Sequence, residues 1–143
     1  MGLATDSIFI AALSQDSEIM ETIGGRLYGT AIPLPDEDLD NVPLPYLVVT
    51  FDGLSNDSQT KDYTYEGDFD QVTIGVLVVG ETLGSLHDLT QQVRETILAY
   101  MEEEDTGIED YQFTAQAIQY EALKPCYWQV LSYQCDVRNH NNG

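Results

Sequence analysis

The chain has 143 residues, 43% of them hydrophobic and 21% charged, with nine tyrosines, four phenylalanines and one tryptophan. This fits one globular domain around a single core and excludes an intrinsically disordered chain. Twenty-five acidic residues against five basic ones give a formal net charge of -20, a surface that repels phosphate backbones and anionic lipid.

That acidity has two readings: a solubility device, or a surface that faces nucleic acid without adhering to it. No apolar run approaches a membrane span. The opening MGLATDSIF has no basic segment followed by a long apolar one, so no signal peptide is expected. Asp6 stands where a myristoylation signal requires serine or threonine.

Residues 3–23 read as helical with a break near the middle. Asp6 is a candidate N-cap ahead of Ile8, Phe9, Ala12 and Leu13. Ser14 or Asp16 restarts the helix for Ile19, Met20 and Ile23, and Gly24-Gly25 ends it. Residues 29–44 (GTAIPLPDEDLDNVPL), with three prolines and four acids, read as a loop. Its acids Asp36, Glu37, Asp38 and Asp40 lack the alternating ligands, central glycine and closing glutamate of an EF-hand. A solvated acidic loop is the better reading.

Pro45–Phe51 reads as the first strand. Residues 52–68 are polar and turn-rich, and Lys61–Glu66 within them is a candidate β-arm with Tyr63 and Tyr65 on one side. Phe69–Val79 is the clearest strand. Val72, Ile74, Val76 and Val78 form one face, and the other begins polar at Gln71 and Thr73 and turns apolar at Leu77 and Val79.

Ser85–Glu103 is the clearest helix, with a stripe of Leu86, Leu89, Val93, Ile97, Tyr100 and Met101 and a cap from Ser85 or Thr82. Its far end, Glu102, Glu103, Glu104 and Asp105, is acidic where the helix dipole favours cations. Tyr111–Ala122 and Cys126–Val137 read as an antiparallel hairpin. Cys126 and Cys135 then point to opposite faces, as two thiols of an intracellular protein rather than a disulfide.

These elements predict an α+β fold: one domain with a single antiparallel sheet of about four strands and two main helical segments on one face. Tyr65, Leu77, Tyr127 and Tyr133 are candidates for the other face. A tyrosine-rich open face suits protein contact, while an ordinary half-solvated sheet is the plainer alternative.

No catalytic constellation is found. His87 and His140 lack partners at metal-ligand spacing, no phosphate-cradling glycine loop follows a strand, and no G-x-S-x-G is present. No histidine is placed to activate Cys126, so neither an enzyme nor a cofactor is expected.

Three segments in order carry a family resemblance: Ile23-Gly24-Gly25-Arg26-Leu27-Tyr28, the entry Leu44-Pro45-Tyr46-Leu47-Val48-Val49, and a strand ending near Gly80 that leads into the Leu86–Ile97 helix. Over roughly residues 6 to 137 the chain resembles the tail-completion proteins of long-tailed bacteriophages, also called tail terminator or head–tail joining proteins. The resemblance implies a non-enzymatic virion protein at the tail or neck, assembled in the host cytoplasm. It also implies a ring, commonly a hexamer, that ends the tail tube and receives the head connector.

Tube protein, connector and further copies of the chain are the partners so implied. DNA passes without being specifically bound, and no membrane is involved. Candidate assembly contacts are Tyr63, Tyr65, Leu77, Tyr127 and Tyr133. Candidate lumen acids are Asp36, Glu37, Asp38, Asp40, Glu102, Glu103, Glu104 and Asp105. An acidic adaptor ring at a neighbouring neck position, or a small acidic inhibitor or mimic, are the alternatives.

Overall fold

The computed structural model describes residues 5–29, 43–56, 69–103, 107–122 and 125–138. The elements run α1 (Thr5–Ser14), α2 (Ser17–Ile23), β1 (Leu27–Gly29), β2 (Tyr46–Asn56), β3 (Phe69–Gly80), α3 (Leu83–Glu103), β4 (Ile108–Ala115), β5 (Gln119–Glu121) and β6 (Cys126–Arg138). The strands form one six-stranded sheet in the order β1-β2-β3-β6-β4, with β5 also on β6.

The α+β class holds, but the described residues carry six strands and three helices rather than about four and two, and the sheet is mixed. Strand β1 pairs parallel to β2, Leu27 opposite Leu47 and Gly29 opposite Val49. Three residues are too few to show an alternation, which is why this strand is silent in the sequence. The segment read as one strand from Tyr111 to Ala122 is β4 and β5, both antiparallel to β6. Residues 116–118 between them are not strand, although the Gln116 N–H still donates to the Val130 carbonyl oxygen at 3.0 Å. The first helical segment is two helices at the break.

Local chemistry explains the helix ends. Asp16 caps α2 by accepting from the backbone N–H groups of Glu18 and Ile19 at 3.0 and 3.1 Å. Its other carboxylate oxygen accepts from the Thr96 hydroxyl on α3 at 2.5 Å, tying the α1–α2 corner to the long helix. Asp6 falls inside the first turn of α1 instead of capping it. Gly24 closes α2 at a φ of 61°, a conformation glycine adopts without steric cost. Thr82 and Ser85 cap α3 reciprocally: each backbone N–H donates to the other's hydroxyl oxygen at 3.1 Å.

The core lies between the helices and one sheet face. Leu86, Leu89, Val93 and Ile97 of α3, with Phe9 and Leu13 of α1, cover Leu47, Val49, Val72, Ile74, Val76, Val78, Leu131 and Tyr133. The opposite face has no helix on it among the described residues.

Candidate interaction surface

Register places the uncovered face in cross-strand rows. Tyr46 on β2 pairs with Val79 on β3, which pairs with Trp128 on β6; one step along, Val48 pairs with Leu77 and Leu77 with Val130. These rows make half the face apolar. The next rows are polar, with Thr50, Gly75 and Ser132, then Thr73 and Gln134. The apolar half forms a groove of about 700 Å³, lined chiefly by Leu44, Tyr46, Leu77, Val79, Trp128 and Val130.

Two carboxylates border the groove. Asp52 stands beside Thr50 at one end, and Glu121, opposite Cys126 in the β5–β6 ladder, at the other. The Thr50 hydroxyl donates to Asp52 Oδ1 at 2.8 Å. The second oxygen, Oδ2, lies over Gly75, where an added Cβ would stand 2.6 Å from it. A bare glycine therefore provides the seat for this carboxylate.

The groove wall near Leu44 is held from behind. Arg26 donates from Nε to the Pro45 carbonyl oxygen at 3.2 Å and from Nη2 to that of Leu44 at 3.3 Å. The Leu44–Pro45 peptide is cis. Tyr28 meets Tyr46 edge to face, ring centroids 6.2 Å apart. The glycine-arginine segment and the Leu-Pro-Tyr entry are thus one structural unit.

Leu77 lies on the uncovered face and lines the groove. Tyr133 does not share that face. It is 2% exposed in the core, ringed by Phe9, Phe113 and Tyr111 with centroids 5.0, 5.1 and 5.9 Å away. Tyr127 packs against the core from the helix-covered side and meets exposed Tyr120 at a tilt, ring centroids 4.9 Å apart. The physical reason is parity: Tyr127 and Tyr133 alternate in step with Leu131, Cys135 and Val137, while the opposite parity carries Ser132 and Gln134.

Burial is the chief cause that raises the Tyr133 hydroxyl far above its ordinary value, with Tyr111 adding to it. That hydroxyl has no hydrogen-bond partner among the described residues. Tyr63, Tyr65, Asp36, Glu37, Asp38, Asp40, Glu104 and Asp105 lie outside the described residues. Glu102 is exposed in the last turn of α3, and Glu103 ends that helix.

Cys126 and Cys135, both buried, form no disulfide and lie on opposite faces of β6. Burial, then the neighbouring Asp136, pushes Cys135 up to about 12. No group of three or more His, Cys, Asp or Glu side chains able to hold a metal occurs among the described residues. No helix among them is long and apolar enough to cross a membrane.

The groove as a whole escapes a reading of single strands. The turn from polar to apolar at Leu77 and Val79 is its sequence signal. Asp52 and Thr50 carry no signal, because their role depends on the register that sets them against Gly75.

No protein-family model and no curated protein matches the chain. Among solved structures, a chain in the virion of a native gene transfer agent particle is similar at a TM-score of 0.58 and 11% identity, over 94% of this chain and 94% of its own. The gp17 protein of bacteriophage SPP1 aligns over 99% of this chain and 93% of its own, at a TM-score of 0.48 and 15% identity. The first likeness is one of fold, and it extends over nearly the whole of both chains.

Proposed function

We propose that the chain is a structural virion-assembly protein whose copies form a ring, commonly a hexamer, that ends a tail tube and joins it to the head connector. The observation that carries this reading is the end-to-end likeness of fold to a virion chain, 94% of each covered. The apolar groove on the helix-free sheet face supports it, since concave apolar surface marks binding sites, although Val48 and Val79 on that face are themselves buried. So does the meeting of the Arg26 segment with the Leu44-Pro45-Tyr46 entry.

In this reading the segment with Tyr63 and Tyr65 reaches a neighbouring subunit. The acids Asp36, Glu37, Asp38, Asp40, Glu102, Glu103, Glu104 and Asp105 line a channel along which DNA moves without adhering. Like charge opposes closure of such a ring, so added salt favours it by screening.

Native mass spectrometry across a concentration series, with and without purified tube protein, tests the reading. A ring in either condition is the expected result. A strict monomer in every mixture, with no binding to tube or connector, removes the ring and leaves the acidic inhibitor in its place.

A further inference from the structure

We propose that the groove on the uncovered face receives a basic, apolar segment of a different protein, whose lysine or arginine pairs with Asp52. The proposal concerns one face of the subunit and stands whether or not copies of the chain close into a ring.

The wall of the groove is apolar and aromatic along the Tyr46–Val79–Trp128 and Leu77–Val130 rows. From the polar Thr50–Gly75–Ser132 row beside Asp52 to Cys126 opposite Glu121, the groove and its rim run about 20 Å along β6, nearly four turns of a helix. Its volume of about 700 Å³ takes several side chains of an occupant rather than a single anchor. Burial of apolar side chains there supplies attraction but no choice of partner.

Choice of partner comes from Asp52. The Thr50 hydroxyl holds one of its oxygens at 2.8 Å, and the open Cα of Gly75 lets the other lie back over the sheet. The carboxylate is thereby oriented at the edge of the apolar surface, where a cation adjoining an apolar stretch would meet it. Glu121 gives the far end the same sign.

The charge of the chain argues against a second copy as the occupant. Another subunit brings the same net -20 with only five basic residues. Of these, Arg26 is bonded to the Leu44 and Pro45 carbonyls, and Arg94 lies over the Phe113 ring at 4.4 Å on the other side of the sheet. Like charge across the contact would oppose self-docking, whereas a cationic segment of another protein is attracted from a distance and fixed at the edge.

Fluorescence anisotropy with two labelled peptides of about fourteen residues, enough to span the groove as a helix, tests this directly. Both probes carry one leucine- and valine-rich stripe. One bears lysines at its ends and the other glutamates. The lysine probe is expected to bind, more weakly as salt rises, and the glutamate probe not to bind. Asp52→Asn should weaken the lysine probe roughly two- to fivefold, as for an exposed ion pair. Asp52→Lys should weaken it further and favour the glutamate probe, and Leu77→Asp should abolish binding of the lysine probe.

Asp52 is exposed, so its variants keep the fold even where Leu77→Asp does not, and a melting curve checks each. Equal binding of the two probes, binding of neither, or indifference to both Asp52 variants overturns the proposal. Sedimentation of the same variants settles the second copy: self-association that Leu77→Asp abolishes, with no peptide binding in the parent protein, assigns the groove to another subunit and overturns it too.

Discussion

Arg26 and Pro45, far apart in the chain, are joined by an Nε–H···O=C hydrogen bond of 3.2 Å, and a second bond of 3.3 Å reaches Leu44 from the same guanidinium. The Leu47 N–H donates to the Arg26 carbonyl at 3.1 Å, so the parallel β1–β2 pairing begins where the side chain clamps. Gly24 completes the arrangement: an added Cβ would stand 2.6 Å from Arg26 Nη1. The glycine thus serves both the helix end and the arginine's path.

Arg26→Ala is therefore expected to lower stability by about 1.5–3 kcal/mol, the range for hydrogen bonds made by a charged group. Arg26→Lys should restore less than half of it, because an ammonium cannot reproduce the planar fork. Urea midpoints at an unchanged m-value measure both. A shift below about 0.5 kcal/mol for the alanine variant, the scale of an ordinary surface substitution, would contradict the clamp.

Asp16 makes a second prediction, with a sign in pH. Its hydrogen bond from Thr96 is the chief cause holding its carboxyl below the ordinary value. The N–H groups of Ile19 and Glu18 act in the same direction, and partial burial opposes them. A lowered folded pKa contributes stability that is present above the unfolded value of about 3.9 and is lost as pH falls through the folded one. Asp16→Ala should cost about 0.5–2 kcal/mol at pH 7, and melts of parent and variant should converge in strong acid. A gap that stays constant down to about pH 2 would remove the carboxylate from the explanation.

Tyr133 separates a core ring from a contact residue. Its ring touches Phe9 and Phe113 in the core while its hydroxyl lacks a partner among the described residues. Tyr133→Phe should change stability by less than about 1 kcal/mol in either direction, since no bond is broken. Tyr133→Ala should cost about 3–5 kcal/mol through the cavity it leaves. Thermal melts of the two variants check this, and a large loss in the phenylalanine variant would show that the hydroxyl is bonded after all.

Cys135 should behave as an inert thiol. Burial raises it to about 12, so almost none is thiolate at pH 8. Its labelling by iodoacetamide should follow global unfolding, read by peptide mass spectrometry in a urea series. The raised value means that the stability it contributes is whole below the unfolded thiol value of about 8.5. That contribution is lost as pH climbs towards the folded one. Labelling of Cys135 in the native protein at the rate of a free thiol would contradict its burial.

Long elements with steady periodicity were legible in the sequence, and short or register-dependent ones were not. The Leu86–Ile97 stripe, the alternation of β3, and the Gly24 helix stop all stand where the residue pattern puts them. Strand β1 could not be read, because three residues have no period and its partner lies across the chain. Tyr127 and Tyr133 read from sequence as residues of the open face, and both lie on the core side of β6. Tyrosine suits either a core or an interface, and only Leu131, Cys135 and Val137 on the same parity decide. The groove was half visible, in the apolar turn at Leu77 and Val79. The seat of Asp52 over Gly75 was invisible, because it exists only once β2 and β3 are in register.

Whether copies of the chain end the tail tube and join it to the head is read from electron microscopy of lysates in which this gene is silenced. Tails of uncontrolled length and filled heads without tails are expected, both restored by supplying the parent chain. Tails of normal length attached to filled heads in the silenced lysate would contradict that role.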